Sequence, residues 1–297
     1  MRTPLSLLAL SVSLLSAPGA MALSEFGIEG MGVVSTKANE AQATISPDGQ
    51  RIVWASDRPG GAGGWDLWQA RLRDGRWQDP APLALNTAGD ETDPFFSHDG
   101  TTLWFASNRA GGRGGFDLYR VAVLADGGAG PVTALPEAIN TRADERRPAL
   151  RADGQALLFA RNGKGGQGGF DLYRAAVRGS DVAEVVALPA PLNSAADELG
   201  GDWLGTGGAL LFTRLADGHS QVWQVGCDYG TAAVPLGLSF NTADGQTGAP
   251  VVDASKPSEV VVAGQARSPR AGGLDLYRLR TPAVTGCRQG RIPIDRR

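Results

Sequence analysis

The stretch from Gly89 to Arg120 reads GDETDPFFSHDGTTLWFASNRAGGRGGFDLYR, and its reading decides the fold. It opens on an acidic pair, Asp90-Glu91, and runs through Pro94-Phe95-Phe96 to Ser97-His98-Asp99-Gly100. An apolar run follows, Leu103-Trp104-Phe105-Ala106, then Ser107-Asn108-Arg109, a glycine-rich loop, and Phe116-Asp117-Leu118-Tyr119-Arg120. Physically this is a strand, a tight turn, a strand, a longer loop and a third strand. Asp-Gly suits a hairpin turn, because glycine takes positive φ freely and aspartate more readily than most residues. Phe95, Leu103, Trp104 and Tyr119 are the residue types that pleated, buried surfaces favour.

Near-copies of this stretch recur along the chain. Upstream stand Asn39-Glu40, Ser46-Pro47-Asp48-Gly49, Ile52-Val53-Trp54-Ala55 and Trp65-Asp66-Leu67-Trp68. Downstream stand Asp144-Glu145, Asp153-Gly154, Leu157-Leu158-Phe159-Ala160 and Phe170-Asp171-Leu172-Tyr173. A looser fourth copy has Asp197-Glu198, Leu210-Leu211-Phe212 and Val222-Trp223. A fifth keeps Leu274-Asp275-Leu276-Tyr277 but has Gly245-Gln246 where the acidic pair is expected. The markers lie roughly 50 to 54 positions apart, the period of four-stranded propeller blades. Connectors end the units: Leu85-Asn86-Thr87, Ile139-Asn140-Thr141, Leu192-Asn193-Ser194 and Phe240-Asn241-Thr242, with Val34-Ser35-Thr36 near the start. The chain therefore begins with the end of a fourth strand and ends after a third. An open ring would leave unpaired strand edges, so Gly32-Val33-Val34 is expected to pair with Leu274 to Leu279 and close it. The expected fold is all-β, a single propeller of five four-stranded blades, at about 55 residues per blade. Six blades would need about 46 and fit the period less well.

Composition narrows the function. The chain has 297 residues, 42% of them hydrophobic, and a net charge of -3. That balance lacks the basic surplus of a nucleic-acid binder. Only two histidines occur, His98 and His219, which excludes a histidine-rich metal centre. No metal and no cofactor are expected. Arg2, the apolar run Leu5 to Leu15 and the small-residue site Ala20-Met21-Ala22 read as a signal peptide over 1–22. The propeller is assigned to 23–280 and a tail to 281–297. No stretch approaches the roughly 18 apolar residues of a membrane span. The product is expected to be exported, to the periplasm or beyond the cell, as a monomer. Cys227 and Cys287 are the only cysteines, and in an oxidising compartment they are expected to form a disulfide.

The pattern Ser-Pro-Asp-Gly, strand, Ser-Asp-Arg, Gly-Gly loop, Asp-Leu-Trp resembles the WD-like propeller repeats of the TolB-like family. The resemblance spans roughly residues 33 to 280 and concerns the propeller alone, without the family's α/β domain. It implies a propeller and a setting in the bacterial envelope. Its members include translocation proteins, peptidase propellers and proteins with peptidoglycan-binding domains.

Function must be argued from a site. Repeated residues are read as scaffold. The acidic pairs are expected to meet Arg58, Arg109 and Arg267 on one face or to cap backbone N–H groups. Asp66, Asp117, Asp171 and Asp275 are expected to fix the glycine loops. Specificity is sought where the repeat breaks. Aligning the innermost strands gives Gln42, Asp93, Arg147, Gly200 and Gly248 as one column; Thr44, Phe95, Ala149, Asp202 and Pro250 form another. The outliers are Arg146-Arg147 and Asp202-Trp203. Paired arginines grip a carboxylate or phosphate, and a tryptophan beside a carboxylate can stack on a sugar or peptide. The opposing reading has Trp203 in the core and the arginines neutralised by Asp144 and Glu145. The expected binding residues are Asp93, Arg146, Arg147, Asp202 and Trp203, with no catalytic residue. The function read from them is a non-catalytic scaffold for an envelope protein, peptide or glycan, with no nucleic-acid partner. The alternative is a carbohydrate-active enzyme using Asp93 and Asp202 across the channel mouth.

Overall fold

The structure, a computed structural model, describes residues 25–124, 128–163, 165–205, 207–227, 229 and 232–284. Residues 1–22, read from the sequence as a signal peptide, Cys287 and most of the tail lie outside the described residues. Among the described residues there are twenty strands and no helix.

The first strand is β1 (Glu25–Ile28). The first blade is β2 (Glu40–Ile45), β3 (Arg51–Ser56), β4 (Asp66–Arg73) and β5 (Arg76–Pro82). The second is β6 (Glu91–Phe96), β7 (Thr102–Ser107), β8 (Asp117–Val123) and β9 (Ala129–Ala134). The third is β10 (Glu145–Leu150), β11 (Ala156–Asn162), β12 (Phe170–Arg178) and β13 (Asp181–Ala187). The fourth is β14 (Asp197–Leu204), β15 (Ala209–Ala216), β16 (His219–Val225) and the short β17 (Val234–Pro235). The fifth is β18 (Gly248–Val252), β19 (Glu259–Gly264) and β20 (Asp275–Arg280), completed by β1. Each blade is one antiparallel four-stranded sheet. The fold is a five-bladed β-propeller, as the repeat period requires.

Each second strand has a neighbouring blade on both sides, so it is buried on both faces. Ile52, Val53, Trp54 and Ala55 are all fully buried, as are Leu157, Leu158, Phe159 and Ala160. This is why these segments read as unbroken apolar runs rather than alternating ones. The connectors lock blades through their asparagines. The amides of Asn86, Asn140, Asn193 and Asn241 accept from the N–H and donate to the carbonyl of Leu67, Leu118, Leu172 and Val222. At the seam Ser35 stands in that place, its hydroxyl accepting from Leu276 N–H at 3.1 Å.

Closure by the N-terminal strand holds, but through an earlier segment than the sequence suggests. Glu25, Gly27 and Ile28 pair with Leu279, Arg278 and Tyr277. Gly32 to Val34 form a turn in which Val34 N–H bonds the Gly30 carbonyl. Gly30 has φ of 53°, and a Cβ there would lie 2.6 Å from the Val34 side chain. That turn sends the chain from the outer strand of the last blade to the connector of the first.

Candidate functional site

The repeated rim is built from buried glutamates. Glu40, Glu91, Glu145 and Glu198 are each fully buried. Each accepts the backbone N–H and hydroxyl of a connector residue, respectively Thr36, Thr87, Thr141 and Ser194. Each then pairs with one arginine: Arg58 at 3.1 Å, Arg109 at 3.2 Å, Arg161 at 3.0 Å and Arg214 at 2.8 Å. Every one of these guanidinium groups lies 4.7 to 5.3 Å from the centres of two aromatic rings. Desolvation raises the carboxyls of Glu40 and Glu145 despite those bonds.

In the first two blades the arginine follows Ser56 or Ser107 by two residues. In the third and fourth it occupies the serine's own place opposite the glutamate. That shift is why Arg161 and Arg214 escape a reading based on Ser-x-Arg. Arg267, expected on this rim, is exposed. The fifth blade has Thr247 at the glutamate position, with its hydroxyl on the Phe240 carbonyl at 2.8 Å. The residues before the glutamates cap the preceding blade's loop: Asn39, Asp90, Asp144 and Asp197 accept from Leu274, Trp65, Phe116 and Phe170 N–H. Asp66, Asp117, Asp171 and Asp275 each accept N–H groups of their own glycine loop. Each of these side chains thus has its partners within the blade framework.

The mouth of the channel lies just inside that rim. Every innermost strand carries a register shift at one place, around Gln42, Asp93, Arg147, Gly200 and Ala249. The fifth-blade member is Ala249, not Gly248, because Thr247 and not Gln246 takes the glutamate's place. Likewise Val251, not Pro250, joins Thr44, Phe95, Ala149 and Asp202. Asp93, Arg147 and Ala249 have φ of 56°, 52° and 51°, a left-handed backbone that costs a non-glycine residue about 1 to 2 kcal/mol. Bulges re-aim side chains beside functional sites, and here they gather three charged groups.

Asp93, 2% exposed, receives Arg146 Nε at 2.6 Å and Arg147 N–H at 3.3 Å on Oδ2, with Arg147 Nε 3.8 Å from Oδ1. Arg146 also reaches the Thr92 hydroxyl at 3.2 Å and lies 4.1 Å over the Phe116 ring. Arg147 crosses toward the fourth blade and donates to the Thr213 hydroxyl at 2.9 Å; Ala249 N–H donates to the same oxygen. Gly200 makes that crossing possible, since a Cβ there would lie 2.5 Å from Arg147 Cβ. Burial opposes ionisation of Asp93, but Arg146 and Arg147 outweigh it and hold its carboxyl below the usual range. Burial lowers Arg147 to about 10, with Asp93 resisting the fall.

Asp202 and Trp203 do not join this cluster in hydrogen bonding. Asp202 is 1% exposed; its two oxygens accept Trp203 N–H at 2.7 Å and, across the blade junction, Val252 N–H at 2.8 Å. Thr44 makes the equivalent bond to Phe96 N–H between the first two blades. Burial raises the Asp202 carboxyl to about 7, and the two N–H donors offset only part of that. Trp203 is 3% exposed and belongs to the hydrophobic core. It stands in register with Ile45, Phe96, Leu150 and Val252, all buried. The sequence brought out Asp93, Arg146 and Arg147 but not Thr213 or Phe116. Gly200, in register with them, was the one available signal for the crossing of Arg147.

No family model matches the sequence, and no curated protein does. Solved structures do match. A putative TolB from Agrobacterium tumefaciens aligns with a TM-score of 0.51 at 15% identity, over 82% of this chain and 83% of that one. TolB from Acinetobacter baumannii aligns at 0.51 and 14%, over 82% of this chain and 55% of that one. The α-L-arabinofuranosidase PaAbf62A from Podospora anserina aligns at 0.49 and 13%, over 88% and 99%. At such identities the likeness is one of fold: the chain is a β-propeller similar to the propeller of TolB.

Proposed function

We propose that the protein is an exported, non-catalytic binding scaffold of the cell envelope, which holds an acidic group of a partner peptide at Arg146 and Arg147. One observation carries the reading. Around the rim each buried glutamate has one arginine, whereas at the mouth two guanidinium groups share the single carboxylate of Asp93. That leaves one positive charge uncompensated in a partly desolvated place, where an incoming carboxylate gains more than it would in water. The Arg146 side chain is 28% exposed, which leaves it reachable, and the half-buried Phe116 beside it offers an apolar face. The apolar contact first assigned to Trp203 passes to Phe116.

The test is titration calorimetry of an acidic hexapeptide and its fully amidated counterpart. The acidic form should bind more tightly, and Arg146→Gln should weaken it about tenfold or more, while Arg178→Gln at the exposed end of β12 should not. Equal binding by Arg146→Gln and the parent protein would remove the assignment.

One observation favours the alternative, a carbohydrate-active enzyme. Asp93 is pushed below and Asp202 above the ordinary carboxylate range, the division of labour that paired glycosidase carboxyls show. Against it, each Asp202 oxygen already accepts a strand N–H, and Asp93 is held by two arginines. Hydrolysis of aryl glycosides that is lost in both Asp93→Asn and Asp202→Asn would favour the enzyme.

A further inference from the structure

A cavity of about 810 Å³ lies at the joint where the last blade meets the first. Its walls come from the closing segment and from two blades: Glu29, Met31 and Val33 of the closing segment, Ile45, Leu72 and Trp77 of the first blade, and Lys256 and Arg278 of the last. Ile45 and Trp77 are buried, and half-buried Val33 and Leu72 pack with them in one apolar cluster. Met31, also on the lining, is 55% exposed.

The buried charges on the inner wall already satisfy one another. Arg278 holds Glu29 at 2.5 Å, Asp253 at 2.7 Å and Glu259 at 2.6 Å. The other oxygen of Glu29 accepts the Trp77 indole N–H at 2.5 Å. The other oxygen of Asp253 accepts Ser255 and Lys256 N–H groups. Asp48, the other carboxylate of the lining, accepts the Ser46 hydroxyl and Gln50 N–H within its own turn, and two exposed cations remain, Arg76 from the first blade and Lys256 from the last. Neither side chain makes an ion pair or hydrogen bond among the described residues.

We propose that this cavity binds a small amphiphilic organic anion, with its carboxylate or sulfonate head between Arg76 and Lys256 and its apolar body against Ile45, Leu72, Val33 and Trp77. Glu29 and Asp253, both on the Arg278 guanidinium, leave one surplus negative charge on the inner wall. That charge keeps an anionic head at the rim and admits only the apolar end. The volume lies within the ordinary range of ligand pockets and leaves room for a chain of about ten carbons. Because the walls belong to the first and last blades, a bound ligand favours the closed ring over the opened one, and it should raise the unfolding temperature.

The experiment is calorimetric titration of the purified protein with decanoate and with decyltrimethylammonium, below their micellar concentrations. Decanoate should bind with one-to-one stoichiometry and about tenfold or more tightly than the cation. The double variant Arg76→Gln/Lys256→Gln should lose about tenfold or more in affinity, and Leu72→Asp should abolish binding. Both sites are away from the channel mouth, so Arg146→Gln should leave decanoate affinity unchanged. Saturation with decanoate should raise the unfolding temperature of the parent protein but not of the double variant. Failure to saturate by about 1 mM, near the weakest affinity of interest, would overturn the proposal. So would equal affinity for the cation, unchanged affinity in the double variant, or loss of binding in Arg146→Gln, which would place decanoate at the mouth instead.

Discussion

Glu29 and Arg278 are 249 residues apart in the chain and 2.5 Å apart in the structure. Their contact ties the residue that follows β1 to β20, beside the hydrogen-bonded ladder that closes the ring. Arg278 also compensates Asp253, which is 2% exposed. Surrounded by three carboxylates, its guanidinium is held above its usual range, against the effect of burial.

Arg278→Ala should therefore be among the costliest single changes outside the core. It strands two buried carboxylates without their cation, a loss of about 3 to 5 kcal/mol. Urea unfolding would register it, and Arg178→Ala, in an exposed pair, should move stability by less than about 0.5 kcal/mol. Deleting residues 23–38 removes the closing strand outright and should expose the edge of β20 to aggregation. A truncated protein that melts like the parent would be at odds with the closed ring.

The glutamate–arginine clasps make a second expectation. Arg109→Ala leaves the fully buried Glu91 carboxylate unpaired and should cost about 3 kcal/mol or more. Arg267→Ala, at the exposed position in the blade that lacks the glutamate, should cost almost nothing. Comparable losses from both, read from denaturation midpoints, would mean that the clasp contributes no more than surface charge.

These clasps show why much of the fold was legible. Spacing carries the blade period, and Asp-Gly turns, asparagine connectors and acidic pairs recur because each blade needs the same backbone groups satisfied. The closing strand was legible in principle and misplaced in detail. Glu25 to Ile28 has no counterpart pattern among the other fourth strands, which vary freely because one of their edges faces solvent. Trp203 misled for another reason. It departs from its column in size, not in environment, since Ile45, Phe96 and Leu150 at that position are buried too. The Asp93–Arg146–Arg147 cluster was only half visible: the residues stood out, but their mutual contact joins two blades and depends on bulges that no local pattern announces.

Asp202 should leave a mark on pH-dependent stability. Its carboxyl is raised from 3.8 to about 7, so between those values the folded state keeps a proton that the unfolded state has lost. Stability from this group is fully present below about pH 4 and falls as pH rises to about 7, where the folded carboxyl ionises. At about 1.4 kcal/mol per pH unit the loss is on the order of 4 kcal/mol. Asp202→Asn cannot titrate and should flatten that slope, measured as the difference in urea stability between pH 5 and pH 8. An unchanged slope in the variant would show that Asp202 does not titrate there. Asp93 works in the opposite sense: its lowered carboxyl contributes stability above about pH 4 that is lost on acidification.

Cys227 is half-buried in the cluster shared by the fourth and fifth blades, while Cys287 lies outside the described residues. Paired, they would tie the two most degenerate repeats together and add about 2 to 4 kcal/mol. Thiol titration of the denatured, unreduced protein should find no reactive thiol; two would exclude the bridge.

The central claim is that Arg146 meets a carboxylate of the partner. A double-mutant cycle between Arg146→Gln and the amidation of one carboxylate on the bound acidic peptide isolates that contact from every other. The account expects a coupling energy of about 1.5 kcal/mol or more, falling with added salt. A coupling indistinguishable from zero, with both forms of the peptide still bound by a folded protein, would contradict it.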